Sequence, residues 1–119
     1  MDTNWDESVI LDLVHLSEFT GGNDDVRDSA LRVFVENAPQ YYELLVASDA
    51  DNWKERAHKL KGAARSLGAW RTAKQGERAE FLEGPYENEA ARLDCLSELK
   101  ARLDELISHI QLILKGDTE

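Results

Sequence analysis

The chain of 119 residues lacks most of what would mark a secreted, membrane-spanning or strand-built protein. It has one cysteine, Cys95, so no disulfide can close within it, and a lone thiol suits a reducing compartment. No apolar run approaches the roughly 20 residues that cross a bilayer. The opening stretch, Met1-Asp2-Thr3-Asn4-Trp5-Asp6-Glu7, is acidic and lacks the basic-then-apolar order of a signal peptide. A cytoplasmic protein without membrane attachment is therefore expected. Strand-like alternation of apolar and polar residues is missing, and so is any internal repeat. Basic charge is scarce. The 14 lysines and arginines face 24 acids, for a net charge of −10, and such a surface repels the phosphates of nucleic acid. His15, His58 and His109 fall on different expected helices, and no paired His/Cys spacing occurs, so no metal site is expected. His15 and His109 read as surface or satisfied structural histidines, and Cys95 as a small residue of the core or of a helix face.

What is present is helical periodicity. With 42% hydrophobic and 32% charged residues, the chain can bury a real core as one soluble domain spanning residues 1–119. The first ten residues are ambiguous, a candidate arm. Asp12 can cap a short helix through Phe19, stopped by Gly21-Gly22. Asn23 or Asp24 can cap a longer one whose apolar face is Ala30, Leu31, Phe34, Ala38, Tyr41 and Leu45. Pro39 lies inside that helix and predicts a kink or a brief break. Residues 48–51 read as a turn. A third helix is expected from Asn52 to Leu67, with Trp53, Ala57, Leu60, Ala64 and Leu67 as its buried stripe and Gly68 ending or loosening it. A fourth is expected from Ala69 or Trp70 to Leu82, with Ala73, Ala79 and Trp70 facing inward, stopped by Gly84-Pro85. The last should span Glu87 to Lys115 on a stripe of Leu93, Leu96, Leu99, Leu103, Leu106, Ile110 and Ile113. The expected fold is all-α: an antiparallel four-helix bundle with a short extra N-terminal helix. Residues 116–119 are expected to fray.

Charge is unevenly placed along this pattern. Between Lys54 and Arg78 eight basic residues (Lys54, Arg56, Lys59, Lys61, Arg65, Arg71, Lys74, Arg78) stand against Glu55 and Glu77, a net +6 in a chain otherwise net −16. Such an island draws acidic partners or phosphate, although a solvated helix face could look the same. Within it lies Ala57-His58-Lys59-Leu60-Lys61-Gly62-Ala63-Ala64. His58 is one residue off the buried stripe and should face solvent mid-helix. Lys54, Lys61, Gly62 and Arg65 fall on the same side. Imidazole keeps a substantial neutral fraction near pH 7 and can act as a nucleophile. Lys61 can meet phosphoryl oxygens as a movable point charge. Gly62 in mid-helix costs about 1 kcal/mol against alanine, so it should have a reason. A bare patch there lets another protein's backbone come close to His58. Ala63, Ala64 and Ser66 keep the surroundings low. The plain alternative is a surface histidine beside a packing glycine.

With Ala57, His58, Leu60, Lys61, Gly62, Ala63, Ala64, Gly68 and Ala69, the sequence resembles the histidine-containing phosphotransfer (HPt) domains of multistep two-component phosphorelays. Asp12-Leu13-Val14-His15-Leu16, Leu31-Arg32-Val33-Phe34 and Leu44-Leu45 fall where that family has its first helices. The resemblance implies that His58 is the phosphoacceptor, through its outer ring nitrogen, and that Lys61 steadies the phosphoryl group. It implies that Lys54, Lys59, Gly62, Arg65 and Gly68 serve receiver docking and close approach. It implies response-regulator receiver domains and a hybrid sensor histidine kinase as partners, with Mg²⁺ supplied by the receiver and no cofactor bound by this chain. The protein would be a monomeric phosphotransfer intermediate, without autokinase activity of its own. The chain departs from the family at Thr72, Gln75, Gly76 and Ala79, where larger apolar residues are common, so the fourth helix is expected to pack loosely or to be filled in by Trp70 and Phe81.

Two other functions compete. A sensor-kinase dimerisation module also carries an exposed histidine, but such modules place an acid right after it and a proline shortly beyond. Here Lys59 follows His58, no proline occurs between His58 and Pro85, and no glycine-rich ATP-binding segment exists. A non-catalytic, receiver-binding adaptor is the other, and loss of the histidine is its usual mark.

Overall fold

A computed structural model of the chain describes residues 3–116, and every regular element among them is a helix. In order these are α1 (Leu13–Phe19), α2 (Asp24–Val46), α3 (Trp53–Leu67), α4 (Trp70–Glu80) and α5 (Glu89–Leu114). The expected fraying beyond Gly116 falls outside the described residues, as do the first two residues of the expected arm.

The caps follow from local chemistry. Asp12 Oδ1 accepts the His15 backbone N–H at 3.0 Å and starts α1. Asn23 Oδ1 accepts from Asp25 and Val26 at the head of α2, and Asn88 from Ala91 at the head of α5. The head of α3 is organised differently. The Asp49 carboxylate takes the Asp51 and Asn52 N–H groups, and the Asn52 side chain turns back to the Asp49 N–H instead of capping. Gly68 ends α3 in the left-handed region at φ 81°, which a residue with a side chain rarely adopts.

Pro39 does not break α2, which runs unbroken through it. The proline sits on the exposed side, where water can serve the carbonyl that its missing N–H leaves unpaired. Burial of Phe34, Ala38 and Leu45 on both sides of it holds the helix together.

Each of α2, α3, α4 and α5 packs on its two neighbours in the ring α2–α3–α4–α5, and α1 closes one end against α2 and α3. The core is Leu31, Leu45, Trp53, Leu60, Leu99, Leu106 and Ile110, with Leu16 from α1. Each fully buried leucine contributes roughly 2 kcal/mol. Two stripe positions differ from expectation. Leu93 is 53% exposed, because it lies to one side of the face that Leu96, Leu99, Leu103 and Ile110 bury, and Ile113 near the other end is only half-buried.

The expectation of a loosely packed fourth helix is corrected. The α3–α4 interface is the most extensive in the fold, and Thr72, Ala73, Lys74, Gln75, Gly76, Glu77, Ala79 and Glu80 are all buried. The small residues do not leave a gap; they let the helices close. A Cβ added at Gly76 would lie 3.0 Å from Lys61 Cα and 3.1 Å from its Cβ. Neither Trp70 nor Phe81 fills space between the helices. Trp70 is half-buried, stacked on Trp5 with ring centroids 5.8 Å apart, and donates its indole N–H to Asp12. Phe81 is 39% exposed.

Nor is the beginning of the chain a free arm. From Thr3 onward it is strapped along α4. The Thr3 N–H and hydroxyl both donate to Glu77, Lys74 Nζ donates to the Thr3 carbonyl at 2.7 Å, and Arg78 pairs with Glu7 at 2.7 Å. Arg71 donates to the carbonyls of Glu7 and Ser8.

Candidate functional site

Helix α3 presents His58 at its middle, with the side chain 62% exposed. The buried stripe through Ala57 and Leu60 fixes the roll of the helix, so the residue between them cannot turn inward. The ring is nevertheless held. Nδ1 lies 2.8 Å from Oε2 of Glu80, a residue of α4. An ionised carboxylate only accepts, so Nδ1 carries the proton and donates it. In the neutral imidazole the lone pair then sits on Nε2, which has no protein partner among the described residues.

Glu80 is the functional residue that sequence reasoning missed. Its side chain is 7% exposed, and its other oxygen, Oε1, lies 2.6 Å from Lys61 Nζ. One carboxylate thus joins the imidazole to the ammonium one turn further along α3. Burial pushes the Glu80 carboxyl up. Hydrogen bonds and charge from Lys61 and His58 outweigh that and bring it below its ordinary value of 4.5. A lowered carboxyl stabilises the fold above that value and loses the contribution as pH falls through the folded-state pKa. Trp53 anchors this end of α4. It is buried and donates its indole N–H to the Ala79 carbonyl at 2.6 Å, one residue before Glu80.

Lys61 corrects an expectation. It is not on the open side of α3 but buried against α4, with its side chain 11% exposed. The close α3–α4 approach at Gly76 draws it in. Gly68, expected to serve docking, is likewise buried. Its carbonyl accepts the Asp12 N–H at 2.9 Å, and an added Cβ would meet His15 Cδ2 at 3.0 Å, so its place is structural. His15 is satisfied by the Ser66 carbonyl at 3.2 Å and the edge of Trp70, in line with expectation. Cys95 is buried beside Gln75, and burial raises its thiol pKa.

Gly62 stands where close approach was expected, and nothing lies within 4 Å of an added Cβ. It is therefore not a packing glycine. Lys54, Lys59 and Arg65 are exposed on α3. Lys54 Nζ lies 5.1 Å from the Phe81 ring centroid, and Lys59 Nζ lies 5.4 Å from that of Tyr41 on α2. The basic island is less uniform than the sequence suggests. Lys61, Arg71, Lys74 and Arg78 are each paired with a glutamate and the half-buried Arg56 donates to the Leu44 carbonyl, which leaves Lys54, Lys59 and Arg65 as the exposed cations around His58. Beside Gly62 opens an apolar groove of about 390 Å³ between α2 and α3, lined by Phe19, Val26, Val33, Tyr41, Ala63 and Leu67 among others. No group of three or more His, Cys, Asp or Glu among the described residues is placed to hold a metal ion. No helix among them is long and apolar enough to cross a membrane.

The arrangement offers an oriented nucleophilic nitrogen on an open face, a buried carboxylate behind it able to stabilise positive charge on the ring, and a bare helix surface one turn away. Residues 29–111 match the family model described as the Hpt domain, a span that begins within α2 and leaves α1 and the strap outside it. No curated protein and no solved structure matches the chain.

Proposed function

The chain belongs to the family of Hpt domains, which serve histidine phosphotransfer together with the receiver and kinase components of phosphorelays, and from that premise we propose that it relays a phosphoryl group between receiver-domain aspartates through His58. The observation that carries this reading is the Nδ1–Glu80 hydrogen bond, which leaves the outward Nε2 as the nucleophile.

The step balances simply. The Nε2 lone pair attacks the phosphorus of an aspartyl phosphate on the receiver. The N–P bond forms as the P–O bond to the aspartate breaks, and the aspartate leaves as carboxylate. The ring becomes a phosphoimidazolium with its proton still on Nδ1, and Glu80 offsets the new positive charge. Because Lys61 neutralises Glu80, the buried carboxylate does not repel the incoming phosphoryl group. Transfer of this kind needs mainly positioning and charge compensation, so few residues suffice. The receiver contributes the aspartate and its Mg²⁺.

Docking would use the His58 face of α3, with Lys59 and Arg65 toward the acidic pocket of the receiver and Gly62 against its backbone. The apolar groove at Phe19, Val26 and Val33 continues that face. The described bundle would act as a single cytoplasmic domain and as a monomer.

The test of the function is transfer of label. The purified chain, mixed with a Mg²⁺-loaded, phosphorylated receiver domain from the same organism, should acquire acid-labile, base-stable label. Receiver binding without any label would favour the non-catalytic adaptor.

Two substitutions probe the parts. Gly62→Gln places a long side chain where nothing now lies within 4 Å, so the fold should hold while receiver affinity falls about ten-fold or more. Titration calorimetry reads this, and unchanged affinity would remove Gly62 from the interface. Lys61→Ala leaves Glu80 buried with His58 as its remaining partner. It should slow transfer more than it weakens docking, and should destabilise the bundle by about 3 kcal/mol in urea. An unchanged transfer rate would remove Lys61 from the site.

A further inference from the structure

Lys61 is already engaged: its ammonium lies 2.6 Å from Glu80 and its side chain is almost wholly buried. Lys54 is placed differently. It precedes His58 by one helical turn, and helical side chains lean toward the N-terminus, so the imidazole leans over the turn that Lys54 begins. Its Nζ has no carboxylate partner among the described residues and lies 5.1 Å from the centroid of the Phe81 ring. Phe81 directly follows Glu80, so the ring that holds this ammonium is joined through the backbone to the carboxylate that holds the imidazole. Phe81 is 39% exposed, which leaves the pair open to a partner's phosphate. Attraction to an aromatic face is weak and leaves the three ammonium donors able to re-aim. The other exposed cations are less well placed. Lys59 is drawn the other way, to Tyr41 on α2, and Arg65 stands two turns beyond His58.

We propose that Lys54, cradled on the Phe81 ring, is the cation that meets the phosphoryl oxygens carried on His58 Nε2, while Lys61 serves to neutralise Glu80. No bond to Lys54 forms or breaks. It adds charge-assisted hydrogen bonds as negative charge gathers on the equatorial oxygens. Phe81 is a positioning residue that acts through Lys54; because its ring also lies 5.6 Å from Lys61 Nζ, the Phe81→Leu defect should vanish in the Lys54→Met background, and a defect that persists there would assign the ring to Lys61 instead. The proposal rests on the reading that His58 is the phosphoacceptor.

The experiment measures the transfer rate at saturating phosphorylated receiver, and separately the half-saturating receiver concentration, for wild type, Lys54→Met, Lys54→Arg, Phe81→Leu and Phe81→Tyr. Lys54→Met should lower the saturated rate about ten-fold with half-saturation unchanged, the loss expected for hydrogen bonds to a charged group. Lys54→Arg should keep most of the rate. Phe81→Leu retains apolar cover but no π-face and should lower the saturated rate about two- to five-fold. Phe81→Tyr should restore it. A Lys54→Met defect confined to half-saturation would make Lys54 a docking residue and overturn the proposal. So would a Phe81→Leu variant as fast as wild type, since a packing role alone is satisfied by leucine. If wild type itself takes up no label, the phosphotransfer reading fails and the proposal fails with it. If wild type is labelled and Lys54→Met matches it, only the proposal fails.

Discussion

His58→Ala should reduce phosphoryl uptake to background while the bundle melts within a few degrees of the wild type. The two halves of this result have separate causes. Uptake is lost because Nε2 is the nitrogen with a lone pair directed outward, and no other described histidine shares its setting. His15 is engaged with the Ser66 carbonyl and Trp70 at the closed end of the bundle. The fold survives because the His58 side chain is 62% exposed and its one hydrogen bond runs to Glu80, which keeps Lys61. A partly exposed contact of that sort contributes on the order of 1 kcal/mol or less. Labelling by a phosphorylated receiver, read beside a thermal melt, checks both halves. Retained labelling would move the phosphoacceptor elsewhere.

Gly76→Ala should destabilise the protein, although alanine is the better helix former. Helix propensity alone favours alanine by about 1 kcal/mol. Against that, the new methyl meets Lys61 Cα at 3.0 Å, its Cβ at 3.1 Å and its backbone nitrogen at 3.3 Å. These are mostly backbone atoms of a packed helix and cannot step aside as a side-chain tip can. Overpacking of this kind costs about 1–3 kcal/mol, and the helix preference offsets only part of it. We expect a net loss of up to about 2 kcal/mol and a melting temperature lower by as much as about 5 °C. The effect should reach the site as well. Parting α3 from α4 moves Glu80, one turn after Gly76, away from both His58 and Lys61, so transfer should slow beyond what the stability loss explains. A melting temperature at or above that of the wild type would show that the helices do not meet as closely as described.

Much of this was legible in the sequence, because it is governed by local rules. The caps at Asp12 and Asn23, the stop at Gly68 and the buried stripe of α3 depend on residues within a turn or two of one another. The outward face of His58 follows from that stripe. What was not legible depends on how α3 and α4 meet. Glu80 lies 22 residues from His58, and no periodicity within α3 announces it. A signal was nevertheless present in Ala73, Gly76 and Ala79, spaced three apart on one side of α4. Read as weakness, they suggest a loose helix. Read as an invitation to close approach, they place the next long polar residue, Glu80, against the His58 turn. The burial of Lys61 has the same origin. Helix periodicity alone puts it near solvent, and only the nearness of α4, with a carboxylate to pair with, draws it in. The strap along α4 was illegible for another reason. Its hold comes from scattered contacts such as Thr3 with Glu77, Glu7 with Arg78 and Trp5 on Trp70, none of which has a sequence period.

The proposed chemistry turns on one atom. Glu80 holds the proton on Nδ1 of His58, so Nε2 must be the nitrogen that accepts phosphorus. Long-range ¹H–¹⁵N correlation spectra of the protein labelled with ¹⁵N-histidine, taken before and after phosphorylation by a receiver, observe both nitrogens directly. We predict an Nδ1-protonated ring beforehand, and afterwards a phosphoryl group on Nε2 with the Nδ1 proton in place. A ring protonated on Nε2 at rest, or phosphorus found on Nδ1, would contradict it.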